Sequence, residues 1–344
     1  MRNITVFTVL VIMINCAPFA AAQEKPVKPY ALSTWTGFGM FLGEAEEIAY
    51  PSSEYKAKML SQLLWDIKPV FYDSLALDFS RAQPMEKWGF FATLSLKIGF
   101  PGKSGEMEDR DWRSKENDAL TDFSVHDNIT NELFIVDASA GFSFPFTQDQ
   151  FLLKTYVSMT YMRFSFSGQY GYGTYARSLG NGAYAPIDDD PRRESFADWE
   201  KVINYTQNWL TVAPGFSLAS YFNRFYFEFS FAISPLVSCA SVDEHLTNSQ
   251  VFKDYMRGGV FIEPGFHFSF IASSRLEFSM DFLWRYIGGA RGKTWYGSPI
   301  DTTTLIQQGE AGARLSLFNL GLCMKIRLAE EEKAAGPNRQ SPAP

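Results

Sequence analysis

Two short segments of this chain carry the side chains needed to activate a water molecule. One is Asp109-Arg110-Asp111 and the other is Asp243-Glu244-His245. In each, the reactive residues stand two apart, and on an extended chain residues i and i+2 point to the same side. Asp109 and Asp111 then form a carboxylate pair, and Asp243 and His245 a carboxylate–imidazole pair. A neighbouring carboxylate orients an imidazole and stabilises its charged form, and an imidazole can take a proton from water. Taken singly, each segment also reads as ordinary surface charge: Asp109 and Asp111 end an acidic run beginning at Glu106. The hydrolytic reading requires a fold that brings the two segments together.

The elements that would position them have a period of two. From Arg224 to Ile233, Phe225, Phe227, Phe229, Phe231 and Ile233 share one face, and Tyr226, Glu228, Ser230 and Ala232 share the other. From Arg275 to Tyr286, Leu276, Phe278, Met280, Phe282 and Trp284 alternate with Glu277, Ser279, Asp281, Leu283 and Arg285. This is strand periodicity. The polar faces carry too many charges for the core of a soluble sandwich, where each would be costly unless paired. A membrane barrel reverses the arrangement, with its apolar face to lipid and its polar face to the lumen, and the bilayer demands closure because unpaired backbone groups find no water there.

Ten strands are expected, at 31–47, 55–71, 87–99, 130–145, 150–168, 203–219, 224–239, 254–272, 275–287 and 307–328. Short turns fall near Thr147-Gln148-Asp149, Tyr221-Phe222-Asn223 and Ser273-Ser274, and long polar connections near 101–128, 168–203, 239–254 and 287–307. The fold class is therefore all-β: a ten-stranded antiparallel transmembrane β-barrel with short periplasmic turns and long extracellular loops. Both acid segments fall where a strand runs into a long loop, at the mouth of such a barrel.

Residues 1–22 read as a signal peptide: Arg2, an apolar run from Val6 to Ile14, and Ala20-Ala21-Ala22 before Gln23. Residues 23–328 form the barrel, and the charged, Pro-rich residues 329–344 are expected to be disordered. The exported chain keeps Cys239 and Cys323, which are too few for a disulfide framework and can be read as a pair or as two free thiols. A net charge of −7 argues against a nucleic-acid partner, and three His in the whole chain argue against a zinc set.

At the level of motifs the chain resembles the omptins, outer-membrane proteases of Gram-negative bacteria. The resemblance rests on Glu47, Ser61-Gln62-Leu63-Leu64-Trp65, Gly105 to Trp112, Thr121-Asp122-Phe123-Ser124-Val125-His126, Arg163-Phe164-Ser165-Phe166 and Asp243-Glu244-His245, in the family's order. It implies an aspartic-type endopeptidase of the bacterial outer membrane, its active site facing outside the cell. Asp109, Asp111, Asp243 and His245 would be catalytic, with His245 as base toward water. Glu47, Asp122, Ser124, His126 and Ser241 would bind substrate or support the site. Polypeptides would be the substrates, outer-membrane lipid the surroundings and a monomer the working form, with no cofactor or metal.

Two departures from the family stand out. Ser241 occupies a position where the family has a second acidic pocket residue, which implies a weakened preference for basic cleavage sites and predicts that Ser241→Asp would sharpen it. Arg163 matches one of the family's lipopolysaccharide-binding positions, but Met159 and Tyr161 occupy others, which puts a lipid requirement in doubt. A Ser124–His126 serine-type mechanism is a lesser alternative, as is an omptin-fold adhesin or host-protein binder with little proteolysis. A porin is disfavoured because charged interior residues would fill so narrow a lumen.

Overall fold

A computed structural model describes residues 30–81, 87–146, 151–189, 191–298 and 305–328. The signal peptide, the tail and the turn at Thr147-Gln148-Asp149 lie outside the described residues. Ten long strands form one antiparallel sheet: β1 (Tyr30–Tyr50), β2 (Ser61–Arg81), β3 (Gly89–Gly99 and Gly102–Asp111), β4 (Asp122–Phe146), β5 (Phe151–Tyr175), β6 (Arg192–Phe222), β7 (Phe225–Ser234 and Val237–His245), β8 (Gln250–Arg257 and Val260–Ile271), β9 (Leu276–Gly297) and β10 (Ile306–Arg327). Each strand pairs with its neighbours in sequence, and β1 pairs with both β2 and β10, so the ring closes. A small hairpin, Ser178–Gly180 with Ala183–Tyr184, stands apart from it.

The strands are longer than their sequence pattern indicates. β4 and β5 each run 25 residues and β6 runs 31, whereas a tilted strand crosses a bilayer in about 9–11. Most of 101–128, 168–203, 239–254 and 287–307, expected as loops, is wall. The second strand also begins later and ends later than expected, at Ser61 and Arg81. The alternation of apolar and polar residues marks only the part of each strand that faces lipid on one side and lumen on the other. Above it the outward face turns polar, and the pattern that identifies a strand is lost.

Three strands break where the two zones meet. Pro101 in β3 and Pro235 in β7 supply no N–H to a ladder. In β8 the break is Gly258-Gly259, with φ of 77° and 93°. A Cβ on Gly259 would lie 2.3 Å from the Gly288 carbonyl oxygen, so only glycine fits there.

Below the breaks, Phe38, Phe71, Leu94, Val157 and Phe229 stand exposed on the outer wall, while Glu277 and Arg285 point inward and are buried. Both faces agree with the sequence reading. The inward charges are paired: Arg285 reaches across the bore from β9 to Asp137 on β4 at 2.6 Å and also holds Glu263, and Lys154 lies 2.6 Å from Glu228. Around them lies a cavity of about 430 Å³ lined by charged and aromatic side chains together.

Above this cavity the lumen is closed by an aromatic layer. Trp65 stacks between Phe166 and Tyr205, each ring centroid 5.5 Å away. Gln207 bridges the layer, donating to the Tyr205 hydroxyl and accepting from Trp209 Nε1. On β5, Phe164 and Phe166 are fully buried in this layer, while Val157 and Met159 lower on the strand face outward. This layer is the floor on which the mouth is built. Trp65→Ala, which empties its centre, should destabilise the barrel by about 3–5 kcal/mol, read as a lowered urea midpoint in detergent micelles.

Candidate active site

Asp109 and Asp111 sit on the upper half of β3, not on a loop. Asp109 is opposite Leu63 and Ser124, and Asp111 is opposite Ser61 and Asp122. Both point into the mouth. Asp243 and His245 sit at the top of β7, opposite Tyr205 and Ile203 of β6. β3 and β7 lie on facing sides of the ring, so the fold joins the two pairs that the sequence presents separately.

His245 Nε2 lies 2.7 Å from Asp243 Oδ2, leaving Nδ1 as the free ring nitrogen. The edge of Phe252 packs against the ring at 5.5 Å. Burial alone would disfavour the charged imidazole, but the Asp243 carboxylate outweighs it, with help from Asp109 and Asp111, and raises the His245 pKa to about 9. Across the mouth, burial and then Asp111 push the Asp109 carboxyl well above the usual range. Burial also raises Asp111, while Arg113 and a Ser61 hydrogen bond oppose the rise, and the balance is about 6. One oxygen of Asp109 and one of Asp243 have no protein partner among the described residues. At neutral pH the resting site therefore holds a charged imidazole on one wall, and on the other an ionised Asp111 beside an Asp109 that burial biases toward its protonated form.

The supporting residues fall into two groups. Arg113 pairs with Asp122 and stands 3.8 Å from Asp111, tying Asp122 to the carboxylate pair. The Asp109–Arg113 stretch is completed by Thr121, whose hydroxyl donates to the Asp111 carbonyl. Ser124 and His126 lie below, both buried. His126 Nδ1 is 2.5 Å from the Tyr170 carbonyl oxygen, which can only accept, so Nδ1 carries the proton and Nε2 accepts the Ser124 hydroxyl at 3.0 Å. Burial lowers the His126 pKa and keeps it neutral. That carbonyl is aimed inward by a bulge at Tyr170-Gly171, where φ is 56° and 104° and a Gly171 Cβ would lie 1.9 Å from the Val125 oxygen. Ser124–His126 thus forms a closed, solvent-excluded pair that braces the wall behind Asp109.

Glu47 and Ser241 lie deeper, beneath Asp243, and both are buried. The sequence reading left this pocket with one acid. The structure adds a second: Asp254, the cross-strand partner of Ser241, accepts a hydrogen bond from the Ser241 hydroxyl at 2.8 Å. Arg113 and Asp254 are the site residues that motif comparison did not reach. Only the β7–β8 register identifies Asp254, and no local pattern in the sequence encodes it.

Arg163 stands on the outer wall of β5. Its guanidinium is held by Glu132 at 2.7 Å and Asn208 at 3.1 Å. Cys239 and Cys323 are both free thiols. The exposed Arg192-Arg193, within the 168–203 stretch expected as a loop, begins β6 and pairs with Tyr175 and Thr174.

The omptin family model matches residues 28–328. The plasminogen activator of Yersinia pestis is 26% identical over 287 residues, covering 81% of this chain and 85% of that protein. The crystal structure of the outer membrane protease OmpT from Escherichia coli superposes with a TM-score of 0.74, covering 90% of this chain and 100% of that one at 18% identity, which shows a common fold. The chain belongs to the omptin family: it is an outer-membrane protease with its active-site mouth facing away from the cell.

Proposed function

We propose that this protease cleaves polypeptides with a water molecule held between the two walls of the mouth. The carrying observation is that Asp109/Asp111 on β3 face Asp243/His245 on β7, each pair perturbing the other's protonation. The roles differ from those drawn from motifs. An imidazole with a pKa near 9 holds its proton at neutral pH and serves as acid, while a carboxylate near 6 is ionised and suited to serve as base. Asp111 takes a proton from water as its oxygen bonds to the scissile carbonyl carbon. His245 Nδ1–H faces the developing oxyanion and then protonates the departing amine as the C–N bond breaks. Asp111 returns its proton to His245, and the new carboxylic acid ionises to solvent. Asp243 orients His245 and holds its charge, and Asp109 shares a proton with Asp111 and fixes the water.

The engagement of Arg163 by Glu132 and Asn208 supports a weak lipid requirement. The working form we propose is a monomer, since the mouth draws all of these groups from one ring.

The test is cleavage of internally quenched peptides by the refolded barrel, followed as kcat/KM against pH. Asp111 acts ionised, so the rate should rise as pH climbs through about 6. His245 acts protonated, so the rate should fall beyond about 9. A profile that climbs through 9 instead would return the base to His245. Absence of cleavage by the wild-type barrel, with host proteins still bound, would favour the adhesin reading.

A further inference from the structure

We propose that Asp254, with Glu47, forms the floor of the pocket that receives a cationic side chain next to the bond being cut. On this reading the acid absent at position 241 has moved one strand over rather than been lost. The inference rests on the protease reading of the mouth and adds a specificity-determining residue to it.

Ser241 and Asp243 share a face of β7, and two residues along a strand span about 7 Å. Ser241 therefore lies one side chain's depth below the catalytic acid. Directly opposite it on β8 is Asp254, 1% exposed, with Glu47 of β1 8% exposed on the adjoining side. The Ser241 hydroxyl reaches one Asp254 oxygen, and Thr294 and the Glu47 carboxyl also adjoin Asp254. With both acids ionised, Asp254 Oδ1 and Glu47 Oε2 would have no donor among the described residues. No cation pairs with either carboxyl among the described residues, whereas the half-buried acids of the lower lumen, Asp137, Glu228 and Glu263, each have one.

Two buried carboxyls in contact with each other, with only the Ser241 and Thr294 hydroxyls and no cation beside them, are costly to fold unless a guest supplies the charge. In the resting pocket a proton takes that place. Burial, then Asp243 and Asp254, raise Glu47, and its carboxyl can donate to Asp254. A guanidinium or ammonium entering from the mouth would displace that proton and satisfy both acids. The Ser241 hydroxyl keeps Asp254 turned toward the guest.

This changes what Ser241→Asp should do. With Asp254 in place, that substitution adds a third carboxyl within hydrogen-bonding distance of the second, and it should not sharpen cleavage after Arg. Asp254→Asn should lower the ratio of kcat/KM for an Arg peptide to that for a matched Met peptide by about 10- to 100-fold. The double exchange Ser241→Asp/Asp254→Ser, which moves the charge back to β7, should restore most of that ratio.

The experiment is the Arg-to-Met ratio for the wild-type barrel, both single variants and the double variant, with the KM for the Arg peptide followed against pH. The wild-type KM should fall as pH rises, because the pocket must release a proton to take the cation. That dependence should be absent with the Met peptide. An unchanged ratio in Asp254→Asn, with wild-type cleavage intact, overturns the proposal and leaves the protease reading standing. A ratio lost in Asp254→Asn but not recovered in the double variant also overturns it, because the loss then reflects packing rather than charge. No cleavage of either peptide by the wild type would sink the underlying protease reading itself.

Discussion

Asp111→Asn is expected to lower kcat/KM by about 10³- to 10⁴-fold, the upper range for removal of a positioned general base. Most of the loss should fall on kcat, because the role proposed for Asp111 lies in the chemical step rather than in holding the substrate. The asymmetry of the pair makes the test specific. Asp109 is pushed well above the usual carboxylate range by burial and by Asp111 itself, which favours its neutral form. An amide at 109 keeps that neutrality and loses only the shared proton. Asp109→Asn should therefore be milder, about 10- to 100-fold. Equal losses in both variants, or a larger one at Asp109, would show that the base sits on the other carboxyl. Arg113 controls for indirect damage: its closer partner is Asp122, and that pair remains when Asp111 becomes an amide, so the thermal unfolding of Asp111→Asn should match that of wild type.

The candidate pairs were legible in the sequence to the extent that they depended on spacing. Asp109 with Asp111, and Asp243 with His245, share faces because a strand repeats every two residues, and that holds whether the strand lies in lipid or above it. The number and order of the strands were legible for a related reason. In the lower barrel one face meets lipid and the other a charged lumen, so Phe225 to Ile233 and Leu276 to Trp284 carry the alternation openly. The height of the walls was not legible. Above Pro101, Pro235 and Gly258 both faces of a strand can be polar, as at Asn204–Gln207, and a polar strand has the composition of a loop. Partnerships set by register were equally hidden. Asp254 lies 13 residues from Ser241 along the chain and directly across from it in the sheet. Protonation states were hidden too, because they depend on which walls face each other. His245 is a base by residue type, and the acid role proposed for it depends on Asp243, Asp109 and Asp111 around it, which together raise its pKa.

The strongest test of that reversal is Asp243→Asn. The amide can still accept from His245 Nε2, so the ring should stay in place, but the charge that held its proton is gone. Burial then acts unopposed by Asp243, and the His245 pKa should fall from about 9 to near or below its ordinary 6.5. The acid limb set by Asp111 stays near 6, so the two limbs nearly meet. At neutral pH the expected loss in kcat/KM is about 10³-fold or more, with a residual optimum shifted to the acid side. His245→Ala removes the acid altogether. It should lose a similar factor at neutral pH, show no recovery at low pH, and regain activity when imidazole is added to fill the space beside Asp243. A general base at His245 predicts the opposite for Asp243→Asn. A lower pKa would leave more neutral imidazole at pH 7, and the basic limb would not move toward the acid side. The direction in which the Asp243→Asn profile shifts, measured on one non-titrating peptide, therefore decides which wall of the mouth takes the proton from water.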